Sequence, residues 1–268
     1  MTLLLRKTAV LMLGFLLICG TTTAQDDKSA AKLYNEGLAL LKAKDYAAGL
    51  PLLESALEKA TEEGNEQVIK LSKKNGARAA YNLGNSKKKE GAHDEAIGMY
   101  NKGIEWAPDY AANYKGVAAA TEAKGEKLEA IKMYITAGDK TTAGGKEEKA
   151  AKLYKKAQNM VGKIYTNKEY EAAIEAGKAY LEMRDNAEVC YYVCRAITET
   201  TATEEAITYA DKAIELSGEE VDDKYYVAKA KAYEKMSKNA DAIEAYKLVT
   251  GEKYKPQAEY KIKELGGK

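Results

Sequence analysis

The stretch from Arg78 to Tyr110, RAAYNLGNSKKKEGAHDEAIGMYNKGIEWAPDY, reads as two amphipathic helices separated by a break at Gly91. The first carries Leu83 and Gly84 on one face; the second carries Ala96, Tyr100 and Gly103 at spacings of four and three and stops at Pro108. Large residues alternating with very small ones at helical period let two helices approach closely and leave an apolar face for a third. One such hairpin cannot bury its own apolar surface, so it has to stack on copies of itself.

The copies are in the chain. A small residue followed by an aliphatic one recurs as Gly49-Leu50, Ala96-Ile97, Ala130-Ile131, Ala173-Ile174, Ala206-Ile207 and Ala242-Ile243, with separations of 47, 34, 43, 33 and 36 residues. Three intervals lie close to 34, and the other two equal 34 plus insertions of 13 and 9. Glu95, Glu129, Glu171, Glu205 and Asp241 stand one or two positions before the pair, where negative charge suits the positive end of a helix. Seven residues after the small residue comes a second packing position, held by Ala56, Gly103, Ala137, Tyr180, Ala213 and Val249. A period near 34 built of helix, turn and helix predicts an all-α solenoid.

These residues resemble the tetratricopeptide repeat family, whose pattern places a large residue and Gly in the first helix, Ala early in the second and Pro near its end. Arg78 to Tyr110 matches with Leu83, Gly84, Ala96, Tyr100 and Pro108. The first copy keeps Gly37 and Ala56, while Ala118, Cys194 and Ala230 replace the family Gly in the third, fifth and sixth. The fourth departs most, with Met160 and Val161 at the Leu-Gly positions, so its layer is expected to be spaced differently. The resemblance covers nearly all of residues 29 to 256 and implies a right-handed α-solenoid of about six repeats.

The insertions shape the stack. Gly64-Asn65 ends the second helix of copy one, and Glu66 to Lys89 then reads as one long helix. Thr141 to Gly145 reads as a loop, either within the stack or as a linker between halves 25–140 and 146–268, and a second long helix follows to about Tyr165. Lys255-Pro256 opens a last helix with Ala258, Ile262 and Leu265 on one face, suited to capping the stack.

Arg6 and Lys7 precede an apolar run from Ala9 to Cys19, followed by small and polar residues to Gln25. That is the layout of a signal peptide, with cleavage expected after Ala24 and export to the periplasm or beyond. Lipid attachment at Cys19 is the rival reading, disfavoured by Ile18 before it. Residues 25–268 then hold 40 basic and 41 acidic side chains, with no global basic field to attract nucleic acid and no segment apolar enough to span a bilayer.

Little points to chemistry. His93, the only histidine, falls in a turn beside Asp94, without a placed nucleophile or acid. Cys190 and Cys194 share a helix face, a poor geometry for a disulfide and too few ligands for a metal; they suit packing. No motif calls for a cofactor or metal, and an enzyme is not expected. After the signal peptide the aromatics are one Trp and twenty Tyr, which fits many half-buried sites, each ring dry on one side and wet at its hydroxyl.

What remains is surface. The resemblance implies that the first helix of each copy lines a concave groove at its second, fifth, ninth and twelfth positions. In copy two these are Arg78, Tyr81, Asn85 and Lys88; copy three adds Lys115, copy four Gln158, Gly162 and Tyr165, copy five Tyr191, Arg195 and Thr198, and copy one Tyr34 and Leu38. Some family members grip a C-terminal carboxylate there with Lys and Asn. Asn85 fits that set, but Tyr81 stands where a Lys is expected, so the grip is not carried over. The expected function is a non-enzymatic exported scaffold binding a protein or peptide in this groove. Outer-membrane assembly and carbohydrate binding are the alternatives, the latter weakened because the lone Trp106 belongs to helix packing near Pro108.

Overall fold

A computed structural model describes residues 28–266. The expected signal peptide, with Cys19 and the expected cleavage site, lies outside the described residues. Among the described residues there are thirteen helices and no strand. Twelve pair as six consecutive hairpins: α1 (Ala30–Lys42) with α2 (Tyr46–Glu63), α3 (Glu66–Lys89) with α4 (His93–Trp106), α5 (Ala111–Ala123) with α6 (Lys127–Ala143), α7 (Glu147–Thr166) with α8 (Tyr170–Met183), α9 (Ala187–Thr200) with α10 (Glu204–Leu216), and α11 (Asp223–Lys235) with α12 (Asn239–Lys247). The thirteenth, α13 (Lys255–Glu264), packs on α12. Each helix packs on its chain neighbours, and α3 also touches α1 and α5, and α9 touches α7 and α11, as in an α-solenoid.

The boundaries follow from local chemistry. Asp45, Asn65 and Asn186 accept backbone N–H groups of Ala48, Val68 and Val189, closing free helix N-termini. Inside every hairpin the first helix ends two residues before a left-handed residue: Lys44, Gly91, Gly125, Lys168, Ala202 or Ser237. Only two of these six turns use the glycine that such a conformation favours. No helix among the described residues is long and apolar enough to cross a membrane.

The recurrent small residues sit where helices cross. Ala96, Ala130, Ala173, Ala206 and Ala242 are all fully buried, as are Ala56, Ala137 and Ala213 one further turn pair along. The fourth hairpin is the loosest, and α8 packs against α6 as well as α7. Its branched Val161 fills the place of the small residue, and the glycine comes one position later: Gly162 lies under the ring of Tyr192, 2.8 Å from where its Cβ would stand.

The expected loop over 141–145 is corrected. Helix α6 runs on through Ala143, because Thr141 is buried and its hydroxyl bonds the Ala137 carbonyl at 2.6 Å, leaving only a short turn around Gly144 and Gly145. The largest buried cluster passes this turn, from Ala118 on α5 to Ala232 on α11.

Candidate partner-binding surface

The second hairpin was the most suggestive by sequence, and Arg78, Tyr81, Asn85 and Lys88 all lie on its first helix, α3. Tyr81 lies 5.9 Å from Tyr100 and 6.2 Å, edge-on, from Tyr110. Asn85 accepts the hydroxyl of the fully buried Tyr100 at 2.8 Å, which commits its carbonyl oxygen to the fold. Burial, helped by the neighbouring Tyr81, pushes the Tyr100 hydroxyl up to about 12. Arg78 and Lys115 are exposed and Lys88 half-buried, and none of the three makes an ion pair among the described residues.

Several projected groove positions are corrected. Tyr34 is buried, and its hydroxyl accepts the Asn75 amide at 2.8 Å; the inserted residues lengthen α3 so that Asn75, Val68 and Ile69 cover α1. Tyr34 is therefore a packing residue. Gln158, Gly162 and Thr198 are also buried, Gln158 meeting Asn186 at 3.5 Å and Thr198 bonding the Cys194 carbonyl.

The fourth to sixth hairpins carry a row of tyrosines that sequence reasoning found only in part. Tyr170, Tyr165, Tyr192, Tyr191 and Tyr225 follow one another at ring separations of 5.8, 5.7, 5.5 and 5.8 Å. Arg195 stands 5.7 Å from both the Tyr165 and Tyr191 rings and donates to the Tyr191 hydroxyl at 3.0 Å, a cation held against aromatic faces. Its Nε is buried with no partner, and its one carboxylate, Glu199, is 3.9 Å away. At the other end Lys224 pairs with Glu188 at 2.6 Å and Asp222 at 3.1 Å. On α11, Lys231 has its pKa lowered by burial and by the charge of Arg195, and makes no ion pair among the described residues. The signal for this row was the doublet Tyr191-Tyr192, echoed by Tyr225-Tyr226 one repeat later.

Between α5 and α7 lies a cavity of about 880 Å³. Lys115, Lys140, Lys146, Lys149, Lys152 and Lys156 line it, with Asp109 as its only acidic lining residue. Lys140 meets Asp109 at 3.5 Å, while Lys152 and Lys156 each meet a carboxylate at 2.6 Å, Glu148 and Glu122. Lys115, Lys146 and Lys149 have no such partner among the described residues. Of the six, only Lys115 was named from sequence.

No family model and no curated protein matches the sequence. Solved structures do. The TPR2AB-domain:pHSP90 complex of yeast Sti1 is 17% identical, with 88% of this chain and 95% of that chain covered and a TM-score of 0.33. YrrB, a TPR protein with an unusual peptide-binding site, is 16% identical over 72% of this chain and 89% of that one, at a TM-score of 0.35. A tetratricopeptide repeat protein from Parabacteroides merdae is 14% identical, with 88% and 91% covered, at 0.33. Inside the chain, six stacked hairpins bury a small residue of each second helix at one register, and a Cβ on Gly37 would stand 3.2 Å from the Gly49 carbonyl in the first. The described chain is an all-α solenoid of helix-turn-helix repeats. Helices α9 and α11 lie side by side, which is why Tyr191 on α9 can reach Tyr225 on α11 although 34 residues separate them.

Proposed function

We propose that this chain is an exported, non-enzymatic scaffold that binds a polypeptide along the face formed by the first helices of its repeats. The observation that carries the reading is the tyrosine row with Arg195. Five rings in sequence, a cation stacked on two of them and a buried guanidinium nitrogen without a partner are more than helix packing requires. Tyr and Arg are the residue types that dominate binding energy at protein interfaces, because they bring large rigid area with a polar edge. Tyr81, Arg78 and Lys88 extend the surface toward the first repeats. Export rests on the signal-peptide layout of residues 1–24.

Site-specific photocrosslinking in the native host, with the crosslinker in place of Tyr192, should yield a discrete polypeptide adduct that Tyr191→Ala combined with Arg195→Ala abolishes. Recovery of the same adducts from wild type and double variant would remove this surface as the site. Mass spectrometry of the purified native protein should give a mature chain starting at Gln25; an intact Met1 would refute export by this route.

A further inference from the structure

The lysine-lined cavity has a chemistry the scaffold reading does not by itself require. The chain as a whole is nearly neutral, yet six cations gather on one concave surface with a single acidic lining residue. Its volume of about 880 Å³ lies toward the upper end of ligand-binding clefts, roughly 300 to 1,000 Å³, so it admits several side chains.

Three of the six, Lys115, Lys146 and Lys149, give the fold no ion pair among the described residues. Lys146, Lys149, Lys152 and Lys156 recur at spacings of three, three and four on one side of α7, and like charges at such spacing repel. Lys146 caps α7 and Lys149 lies in its first turn, where the helix dipole opposes a cation. Glu148 and Glu122 offset two of these charges, and Lys115, Lys146 and Lys149 stay unpaired and exposed. Charges gathered within one cleft lie near enough to reinforce one another at physiological salt, where screening sets in at about 8 Å. The insertion that lengthens α7 brings Lys146 and Lys149 to the cavity, so the feature belongs to this repeat and not to the general period.

We infer that the cavity between α5 and α7 binds an acidic stretch of a partner polypeptide, several Asp and Glu side chains in succession. The inference rests on the scaffold reading and names the chemistry of the partner. Lys115, Lys146 and Lys149 meet its carboxylates directly, and Lys140, Lys152 and Lys156 exchange their intramolecular carboxylates for those of the partner.

Fluorescence anisotropy of the full chain tests this with a labelled peptide rich in Asp and Glu and a control of equal length carrying Asn and Gln. The acidic peptide should bind, weaken steeply with added salt, and outcompete the control. Lys115→Gln, Lys146→Gln and Lys149→Gln together should weaken it about tenfold, as three exposed charge contacts each contribute about a factor of two. The corresponding triple Arg variant should bind as wild type does, which separates lost charge from lost folding. Equal binding of both peptides, or no effect of the Gln substitutions in a chain that melts normally, overturns the inference. So does binding of a sulfated polysaccharide without binding of the acidic peptide. If the acidic peptide fails while the Tyr192 crosslink persists, the acidic partner alone is overturned; if both fail, the scaffold reading falls with it.

Discussion

Tyr100 offers a direct test of how closely the repeats are fitted. Its ring is fully buried and lies between two glycines, one from its own hairpin and one from the next. A Cβ on Gly84 would stand 2.5 Å from the ring, and a Cβ on Gly116 would also stand 2.5 Å from it. Ordinary contact begins near 3.4 Å, so Ala at either site must displace the ring by most of an ångström. The ring cannot retreat, because the opposite glycine backbone blocks it and its hydroxyl is bound to Asn85 at 2.8 Å. Overpacking of this kind costs about 1–3 kcal/mol. Stretching the hydroxyl bond adds up to about 1 kcal/mol. Replacing a helical Gly by Ala returns about 1 kcal/mol of propensity. Each single variant should therefore be less stable than wild type by roughly 1–2 kcal/mol, and Gly84→Ala with Gly116→Ala should lose more than the sum of the singles, since both escape routes are closed. Gly98 is the control: it lies on α4, exposed, with open space around its Cβ position, and Gly98→Ala should stabilise by about 0.5–1 kcal/mol. Urea unfolding followed by far-UV circular dichroism reads all four. If Gly116→Ala shifts the midpoint in the same direction as Gly98→Ala, the close-fit argument is wrong.

Other features give shorter tests. Lys168 and Ala202 hold left-handed backbone at hairpin turns, so Lys168→Gly and Ala202→Gly should each stabilise by about 0.5 kcal/mol in thermal melts, the relieved strain exceeding the entropy lost from a freer unfolded chain. Burial pushes the Cys190 thiol up to about 11 and the Cys194 thiol up to about 12, so a disulfide-exchange reagent at pH 8 should label neither until the chain is unfolded in denaturant. Rapid labelling of the native protein would contradict their packing role. Burial alone would raise the Glu122 carboxyl, but hydrogen bonds from Lys156 and Tyr134 outweigh it and hold the pKa below the usual value. Its stabilising contribution is thus complete above an unfolded pKa of about 4.3 and lost as pH falls through the folded value. Wild type should exceed Glu122→Gln in stability at pH 6, and the difference should vanish in the acid range; a constant difference would refute the linkage.

The fold was legible because its signal is repeated. One alanine early in a helix says little, but six small residues, three of their five intervals near 34 and two lengthened by insertions, leave only a stack of hairpins, and the long α3 and the terminal α13 followed from Gly64-Asn65 and Lys255-Pro256. Thr141 misled because threonine and glycine together suggest a loop; its burial, which lets a polar side chain cap its own helix backbone, is a tertiary fact. The surface was less legible. Projecting the regular groove positions named Tyr81, Asn85, Tyr165, Tyr191 and Arg195 as candidates, and placed Tyr34 on a face that the lengthened α3 covers. It also missed Tyr170 and Tyr192, whose rings join the row through the irregular fourth hairpin.

The two insertions therefore matter more than the period they interrupt. A stack of identical hairpins presents the same narrow face at every layer, since each layer turns on its neighbour by the same amount. The lengthening of α3 seals the first hairpin, moving Tyr34 from surface to core. The lengthening of α7 does the opposite: its first turns bring Lys146 and Lys149 to the opening beside α5. In the same hairpin, Val161 takes the small residue's place and Gly162 shifts the close contact onto Tyr192, which links the fourth repeat to the tyrosine row of the fifth. A cationic cleft and an aromatic strip thus meet on one long helix. Resetting Val161 and Gly162 to the regular order, by Val161→Gly with Gly162→Val, should put a branched side chain where the Tyr192 ring lies. The row would break between Tyr165 and Tyr192, and partner crosslinking at that position should fall even though the lysine cavity keeps all six of its cations.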